Sequence, residues 1–250
     1  MGEYRTRMTK FSVIVPAYNE GESIKENLLK IAQTLDSGVT SYEILAVNDG
    51  SSDNTKQQIM EAAAVNPNII YAGYDKNRGK GGAIKHGVEL AKGDIIGFID
   101  ADLDISPDHL VRYLKHMEQT GCDVVIGSKM HKDSKLDYPP LRKFVSFGYF
   151  IGLKILFGMS IKDTQTGVKL YRASLIKKVS PLLKVKGYAF DIEVLALCAH
   201  EGAVIEQMPV EIVFKRNASF GRIRLGDIFK MLFDTIGIWW NLNIRRSYFK

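Results

Sequence analysis

The sequence predicts an α/β fold: a mostly parallel, Rossmann-like central sheet flanked by helices, followed by C-terminal amphipathic helices. Two observations predict the sheet. Short apolar runs alternate with helix-patterned stretches from Phe11 to Gly127, and polar residues gather at the carboxyl ends of those runs. Strands alternating with helices imply right-handed βαβ units, hence parallel strands. A third observation sets the scale: 250 residues with 46% hydrophobic content suffice for one large domain with its own core.

Taken in order, Phe11–Pro16 reads as a buried strand, with Pro16 expected to end its pairing. Glu20–Leu35 has helical spacing at Ile24, Leu28, Ile31 and Leu35. Tyr42–Val47 is a second strand, and Ser52–Val65 a helix that Ser52 or Asp53 can cap. Asn68–Gly73, Gly81–Ala91 and Asp94–Ile99 give strand, helix, strand. Pro107–Gln119 is a helix with Ser106 suited to its N-cap and Pro107 to its first turn. Cys122–Gly127 is a fifth strand. Beyond the polar loop Asp133–Pro140 come an apolar helical run, Arg142–Gly158, a strand, Gly167–Arg172, and a helix, Tyr188–His200. Val204–Lys215 alternates as a strand around Pro209, and Leu225–Arg246 is a long helical pattern. The expected division is a tail at 1–10, a domain at 11–222 and an amphipathic helix at 223–250.

The formal net charge of +6 suits anionic partners without choosing one. Cys122 and Cys198 sit in apolar stretches and read as buried free thiols of a reducing compartment. The polar, basic N-terminus has no apolar core of a signal peptide, and no apolar run is long enough to span a bilayer. The expected location is therefore cytoplasmic, with any membrane contact peripheral. No nucleic-acid motif or stacking pattern is present, so nucleic acid is not an expected partner.

The chemistry concentrates where strands end, which is where ligands bind in parallel α/β sheets. In GFIDADLD, an apolar strand ends in Asp100, Ala101 and Asp102. Residues i and i+2 point to one side of a strand, so two carboxylates converge and repel. A divalent ion relieves that repulsion. Oxygen ligands suit Mg²⁺ or Mn²⁺, which take one or two carboxylates plus substrate phosphates. The plain alternative is a solvated acidic turn. In YEILAVNDGSSDNT, Asp49 sits at the end of the second strand, where a carboxylate can accept from a base N–H or a ribose hydroxyl. The stretch NRGKGGAIKHG fails both as a Walker A loop and as a dinucleotide fingerprint, because its spacing and place are wrong. It remains a glycine-rich helix start that can meet an anion, with Arg78 and Lys80 beside it.

These segments together resemble the family 2 glycosyltransferases of GT-A fold, in particular the polyprenyl-phosphate hexosyltransferases (dolichyl-phosphate mannose and dolichyl-phosphate glucose synthases). The matching stretches are VIVPAYNE, NDGSSDNT, NRGKGGAIKHG and DAD, followed by GSK, DTQTGVKLYR and GYAFDIEVLAL. The resemblance runs from about Phe11 to Lys215. It implies an inverting, metal-dependent hexosyltransferase that moves a sugar from a nucleotide-diphosphate donor to a polyprenyl phosphate. Pro16, Ala17, Tyr18 and Glu20 would frame the nucleoside, with Asp49 on the base or ribose. Asp75, Lys80 and Ala101 would lie along the donor, and Asp100 and Asp102 would hold the metal. Asp163 and Gln165 would sit near sugar and acceptor, with Asp163 a base or a positioning group. Lys129, Arg142, Lys215 and Arg216 would meet the acceptor phosphate. The family has arginine where this chain has Lys129, which keeps the charge but loses the bidentate fork. The donor is a UDP-glucose-type sugar or GDP-mannose, and the GKGGA loop resembles the glucose branch more than the mannose branch. Two other readings stand beside this one: a transferase with a soluble or polysaccharide acceptor, and a nucleotide-sugar-binding module without catalysis.

A polyprenyl phosphate lives in a bilayer. Arg142–Gly158 is apolar with basic ends, and the C-terminal stretch pairs Trp239 and Trp240 with Arg245, Arg246 and Lys250. Both suit peripheral docking at a membrane surface. Packing on the domain, or contact between copies in a homo-oligomer, is the alternative use of the same faces.

Overall fold

A computed structural model describes residues 10–135, 150–185, 187, 189–212 and 225–249 of the chain. Seven strands form one sheet: β1 (Phe11–Ala17), β2 (Tyr42–Asp49), β3 (Ile69–Tyr74), β4 (Ile95–Phe98), β5 (Val124–Ser128), β6 (Lys169–Arg172) and β7 (Ile205–Pro209). Their order across the sheet is β3-β2-β1-β4-β6-β5-β7. The β1–β2, β1–β4, β2–β3 and β5–β7 pairs are parallel, whereas β6 runs antiparallel to both β4 and β5. The sheet is thus mostly parallel, as the alternation predicts, with one reversed strand wedged in its middle.

Helices α1 (Ile24–Asp36), α2 (Thr55–Val65), α3 (Gly79–Leu90) and α4 (Asp108–Thr120) follow the first four strands. Two apolar cores result, one on each face. Phe11, Val13 and Val15 pack with Leu28, Ile59 and Leu110 on one face. Ile14, Val47 and Ile96 pack with Ile84, Ile192 and Leu195 on the other. Adjacent β1 residues feeding opposite cores is the period-2 rule of a strand buried on both faces. The Phe190–His200 helix is buried along almost its whole length, which explains why its sequence is apolar all round.

Several predicted boundaries shift for local reasons. Pro16 does not end the pairing: β1 continues to Ala17 against Asn48. Pairing with β4 stops at Ile14, so Pro16 lies where only one neighbour remains and a missing N–H is tolerated. α1 begins at Ile24 rather than Glu20, because Asn19 takes a left-handed φ of 53° and Glu20 O accepts from Ser23 and Ile24 N–H groups in a turn. α2 begins at Thr55 with Asn54 in the N-cap position, so neither Ser52 nor Asp53 is the N-cap; Asp53, one residue before it, accepts from the Thr55 N–H at 3.0 Å through Oδ1. Ser106 does not cap α4 with its side chain, since its Oγ donates instead to Asp108 Oδ2 at 2.6 Å. Of the predicted Arg142–Gly158 helix, the described part is helical over 150–157. The 222/223 boundary lies outside the described residues.

The Leu225–Asn243 helix turns Thr235, Ile238 and Leu242 inward. The segment after it folds back onto the domain. Tyr248 OH donates to the buried Glu193 carboxylate at 2.6 Å, and that carboxylate also accepts from the Lys184 and Val185 N–H groups. Burial, and then the bond to Glu193, raise the Tyr248 pKa well above the ordinary phenol value.

Candidate active site

Three strand-end loops meet at the carboxyl edge of the sheet. The first two are tied together. Asn19 N–H donates to Ser51 Oγ, and Ser52 N–H donates back to Asn19 Oδ1. Glu20 N–H donates to Thr55 Oγ1, and Gly21 N–H to Asp53 Oδ2. Ala17 is buried, while Tyr18 is 50% exposed on the rim of this joint.

Asp49 is buried, and its carboxylate organises the next loop. Oδ1 accepts from Tyr74 OH at 2.6 Å and from the Arg78 N–H at 2.8 Å, and Oδ2 accepts from Asn77 Nδ2 at 3.0 Å. The Tyr74 pKa is raised by burial and then by this bond. The Arg78 guanidinium lies over the Tyr74 ring, 4.1 Å from its centroid. Gly50, at φ 66°, lets the second loop press on the third: a Cβ there would meet Asn77 N at 2.5 Å. Asp75 stands exposed on this loop.

The centre is the Asp100–Asp104 turn after β4. Its shape is fixed from both sides. Asn27 Nδ2 of α1 donates to Ala101 O at 2.8 Å, Leu103 takes a left-handed φ of 51°, and Asp102 Oδ1 accepts from the Asp104 N–H at 3.2 Å. Lys80, in the first turn of α3, pairs with Asp100 Oδ1 at 2.5 Å. Burial works against the Lys80 ammonium, but Asp100, Asp191 and Asp102 together raise its pKa above the usual lysine value. Gly167 presses on the other side of Asp100: a Cβ there would lie 2.0 Å from Asp100 Oδ2. Asp100, Asp102 and Asp104 share a cleft of about 150 Å³ with Lys129, Gln165 and Thr166.

The Asp163–Gly167 turn forms the far wall of that cleft. Asp163 is 8% exposed, and its carboxylate is taken up locally. Oδ2 accepts from the Lys129 N–H at 2.9 Å and Thr166 Oγ1 at 2.5 Å, and Oδ1 accepts from the Gln165 N–H at 3.0 Å. Lys129 Nζ lies 3.8 Å from the same Oδ2. These bonds hold the carboxylate against its own turn and against Lys129. Gln165 lines the cleft directly.

Two residues behind this wall escape a motif-led reading. Lys169 is 2% exposed, and its Nζ donates to Asp191 Oδ1 at 2.5 Å and to Thr166 O at 2.7 Å. The signal was a lysine inside the apolar strand GVKLYR and an aspartate inside the apolar helix YAFDIEVLAL. Charges in such settings are buried only when paired. Arg142, Lys215 and Arg216 lie outside the described residues.

A divalent ion fits this site by its donor set. Asp100 and Asp102 supply hard oxygens at one strand end, and Gly167 leaves room for Asp100 where any side chain would displace it. Among the described residues no group of three acidic, histidine or cysteine side chains converges to hold a metal. Two carboxylates completed by phosphate and water is the pattern of Mg²⁺ in nucleotide sites.

Comparison with known proteins agrees with this geometry. Residues 12–180 match the family described as Glycosyl transferase family 2. The chain is 34% identical over 244 residues to a dolichyl-phosphate beta-glucosyltransferase of Trichomonas vaginalis, covering 91% of this chain and 75% of that protein. It is 32% identical over 221 residues to the dolichyl-phosphate beta-glucosyltransferase of Saccharomyces cerevisiae, covering 80% of this chain and 65% of that protein. Among solved structures, glucosyl-3-phosphoglycerate synthase from Mycobacterium tuberculosis, in complex with Mn²⁺, UDP and glucosyl-3-phosphoglycerate, aligns with a TM-score of 0.67 at 20% identity, covering 93% of this chain and 79% of that one. At that identity the likeness speaks for the fold.

Proposed function

The chain belongs to glycosyl transferase family 2, and on that footing we propose that it moves a glucosyl group from UDP-glucose to a polyprenyl (dolichyl) phosphate. One observation carries the reading. Asp100 and Asp102 stand in the turn after the central β4 strand, in a cleft shared with Lys129 and Gln165, with Lys80 paired to Asp100. Opposite charges stand there ready for a diphosphate on one side and an acceptor phosphate on the other. The glucosyl donor is supported by the relatives at 34% and 32% identity, both beta-glucosyltransferases.

Asp100 and Asp102 would hold Mg²⁺ or Mn²⁺, which when bound neutralises charge on the leaving nucleoside diphosphate. Lys80 adds a second positive charge beside the same phosphates. Pro16, Ala17, Tyr18, Glu20 and Asp49 frame the nucleoside, with Asp75 and Ala101 along the donor. An acceptor phosphate oxygen forms the new bond to sugar C1. The bond from C1 to the diphosphate breaks on the opposite face, its electron pair leaves with the nucleoside diphosphate, and the configuration inverts. A phosphate monoester has its second pKa near about 6, so the acceptor arrives ionised and no proton need be removed. That agrees with an Asp163 whose oxygens already serve the Lys129, Gln165 and Thr166 donors. Lys129 offers the acceptor phosphate a positive charge, and Arg142, Lys215 and Arg216 are assigned the same task from the family pattern. Residues 11–222 are assigned to the transferase domain, and the Leu225–Asn243 helix to docking.

The acceptor's lipid tail requires a membrane surface. No helix of the described residues is long and apolar enough to cross one. The Leu225–Asn243 helix instead leaves Phe233 72%, Ile236 51% and Trp240 49% exposed, and Ile155 of the 150–157 helix is 78% exposed. Such an apolar face with Lys230, Arg245 and Arg246 close by in the chain suits an anionic interface.

The test is transfer of labelled sugar from UDP-glucose to a long-chain polyprenyl phosphate in anionic vesicles and to a short, water-dispersed one. The wild-type chain is expected to glucosylate both. Phe233→Glu with Trp240→Glu should lower transfer in vesicles at least about tenfold, the cost of placing charge at a lipid interface, and leave the short acceptor unaffected. Transfer only to soluble sugars, or only from GDP-mannose, would refute the acceptor or the donor respectively.

A further inference from the structure

The segment after β7 reaches the cleft by hanging from α4. Tyr113 OH donates to Pro209 O at 2.9 Å, and the Glu211 N–H donates to His109 Nε2 at 3.1 Å. The His109 and Tyr113 rings meet edge-on, with centroids 5.8 Å apart. On its other side the segment is held by the turn after β5. Ser134 Oγ accepts from the Val210 N–H at 3.0 Å and donates to Ser128 O at 2.6 Å, and the Lys135 N–H donates to Val210 O at 3.0 Å. Ile212, bridged to Ile105, then lines the cleft with Asp102, Asp104 and Lys129.

His109 is 1% exposed, and both of its ring nitrogens are committed. Nδ1 faces Ser106 O at 2.9 Å, and a carbonyl only accepts. Nε2 faces the Glu211 N–H, which only donates. One state satisfies both: the neutral ring with its proton on Nδ1. A second proton would set two N–H groups against each other at Nε2. Among the described residues the charged groups around the ring are Asp108 and Arg112 from its own helix and Glu211 from the segment it holds. Burial is the largest influence, and the His109 pKa is lowered.

We infer that His109 is a positioning residue: as the neutral Nδ1–H tautomer it clips the Val210–Ile212 backbone to α4 and so sets the wall of the cleft on the Lys129 side. Its consequence for turnover rests on the proposed transfer to an acceptor phosphate. Val210 is bonded to Ser134 and Ser134 to the carbonyl of Ser128, the residue before Lys129, so clip, wall and Lys129 form one connected piece. The Asp100–Asp102 turn is held by other groups, Asn27 on Ala101 O and Lys80 on Asp100. Losing the clip therefore disturbs the acceptor side and spares the donor side. The sign with pH follows from the lowered pKa. The unfolded chain takes up this proton at higher pH than the folded one, so the clip contributes fully above about 6.5 and is lost as pH falls through the lowered folded value.

The test reads the clip directly in the full chain. The chain has five histidines, and the ¹⁵N resonances of His109 are those that His109→Gln removes. At pH 7.5 they should show Nδ1 protonated and Nε2 bare, and the Glu211 amide should be protected from hydrogen exchange. That protection should disappear as the ring takes its second proton. A protonated Nε2 at pH 7.5, or protection that survives double protonation, would overturn the inference. His109→Phe strands the buried Glu211 N–H, so its protection should fall at least about fivefold, and the KM for a short polyprenyl phosphate should rise by about the same factor. The KM for UDP-glucose should stay put, and His109→Gln, an acceptor that does not titrate, should keep both near wild type. Equal rises of both KM values in a folded His109→Phe chain would also overturn it. The resonance and exchange readings on the wild type need neither variant folding nor substrate turnover. They decide the clip even if no sugar reaches the polyprenyl phosphate, a result that would refute the proposed function instead.

Discussion

Asp102→Ala is expected to lower glucosyl transfer by about 10²–10³-fold, the scale of losing one preorganised group that meets transition-state charge. The reasoning starts from the turn. Asp102 is held by the Asp104 N–H and by the Asn27–Ala101 bond, so its carboxylate faces the cleft without a packing role of its own. Removing it would delete one oxygen of the proposed metal site at the cost of one turn hydrogen bond, from the Asp104 N–H. Asp100 is a less clean target, because its loss also frees Lys80. Turnover at saturating Mn²⁺, with the thermal melting temperature as the measure of folding, checks the expectation. Activity within about tenfold of wild type would rule out Asp102 as a metal oxygen, since tenfold is only about 1.4 kcal/mol of barrier.

Gly167→Ala should be nearly as damaging, for a geometric reason. Its Cβ would lie 2.0 Å from Asp100 Oδ2 and 2.7 Å from Asp100 Cγ. Either Asp100 swings away or the Asp163–Gly167 turn retreats, and the turn is anchored by three hydrogen bonds to Asp163 and by Lys169 on Thr166 O. A displacement of about 1 Å at a reacting centre costs on the order of 10²-fold. Mn²⁺-dependent turnover should fall by at least that much, with the loss showing in the apparent metal affinity. Wild-type metal affinity in this variant would show that Asp100 does not need the space.

The sheet was readable from the sequence wherever one strand–helix unit followed another, because alternation and apolar runs report local burial. Strands β1 to β5 appear within about two residues of their expected ends. The reversal of β6 was not readable. Gly167–Arg172 shows a strand, but its direction depends on which neighbours accept it, and Lys169–Arg172 reveals nothing of β4 and β5 on either side. The gathering of polar residues at the carboxyl edge of the sheet was legible because they stand at strand ends, where topology alone brings them together. What was hidden depends on three-dimensional pairing. Asp49 looked free to meet a ligand, and its three protein donors come from the last residue of β3 and the loop after it. Asp163 was expected as a base or a positioning group, and its donors, from its own turn and from Lys129, could not be read from the sequence. Lys169 and Asp191 are 22 residues apart in sequence and become a buried pair only in the folded chain.

The most direct measurement is calorimetric titration of UDP into the wild-type chain and into Asp102→Ala, each with and without Mn²⁺. A donor site built from Asp100, Asp102 and Lys80 predicts that UDP binds the wild type at least about tenfold tighter with Mn²⁺ than without. The same site predicts that Asp102→Ala loses that difference. Equal UDP binding with and without Mn²⁺ in the wild type, or an unchanged Mn²⁺ effect in Asp102→Ala, would contradict a metal-assisted donor site at the end of β4.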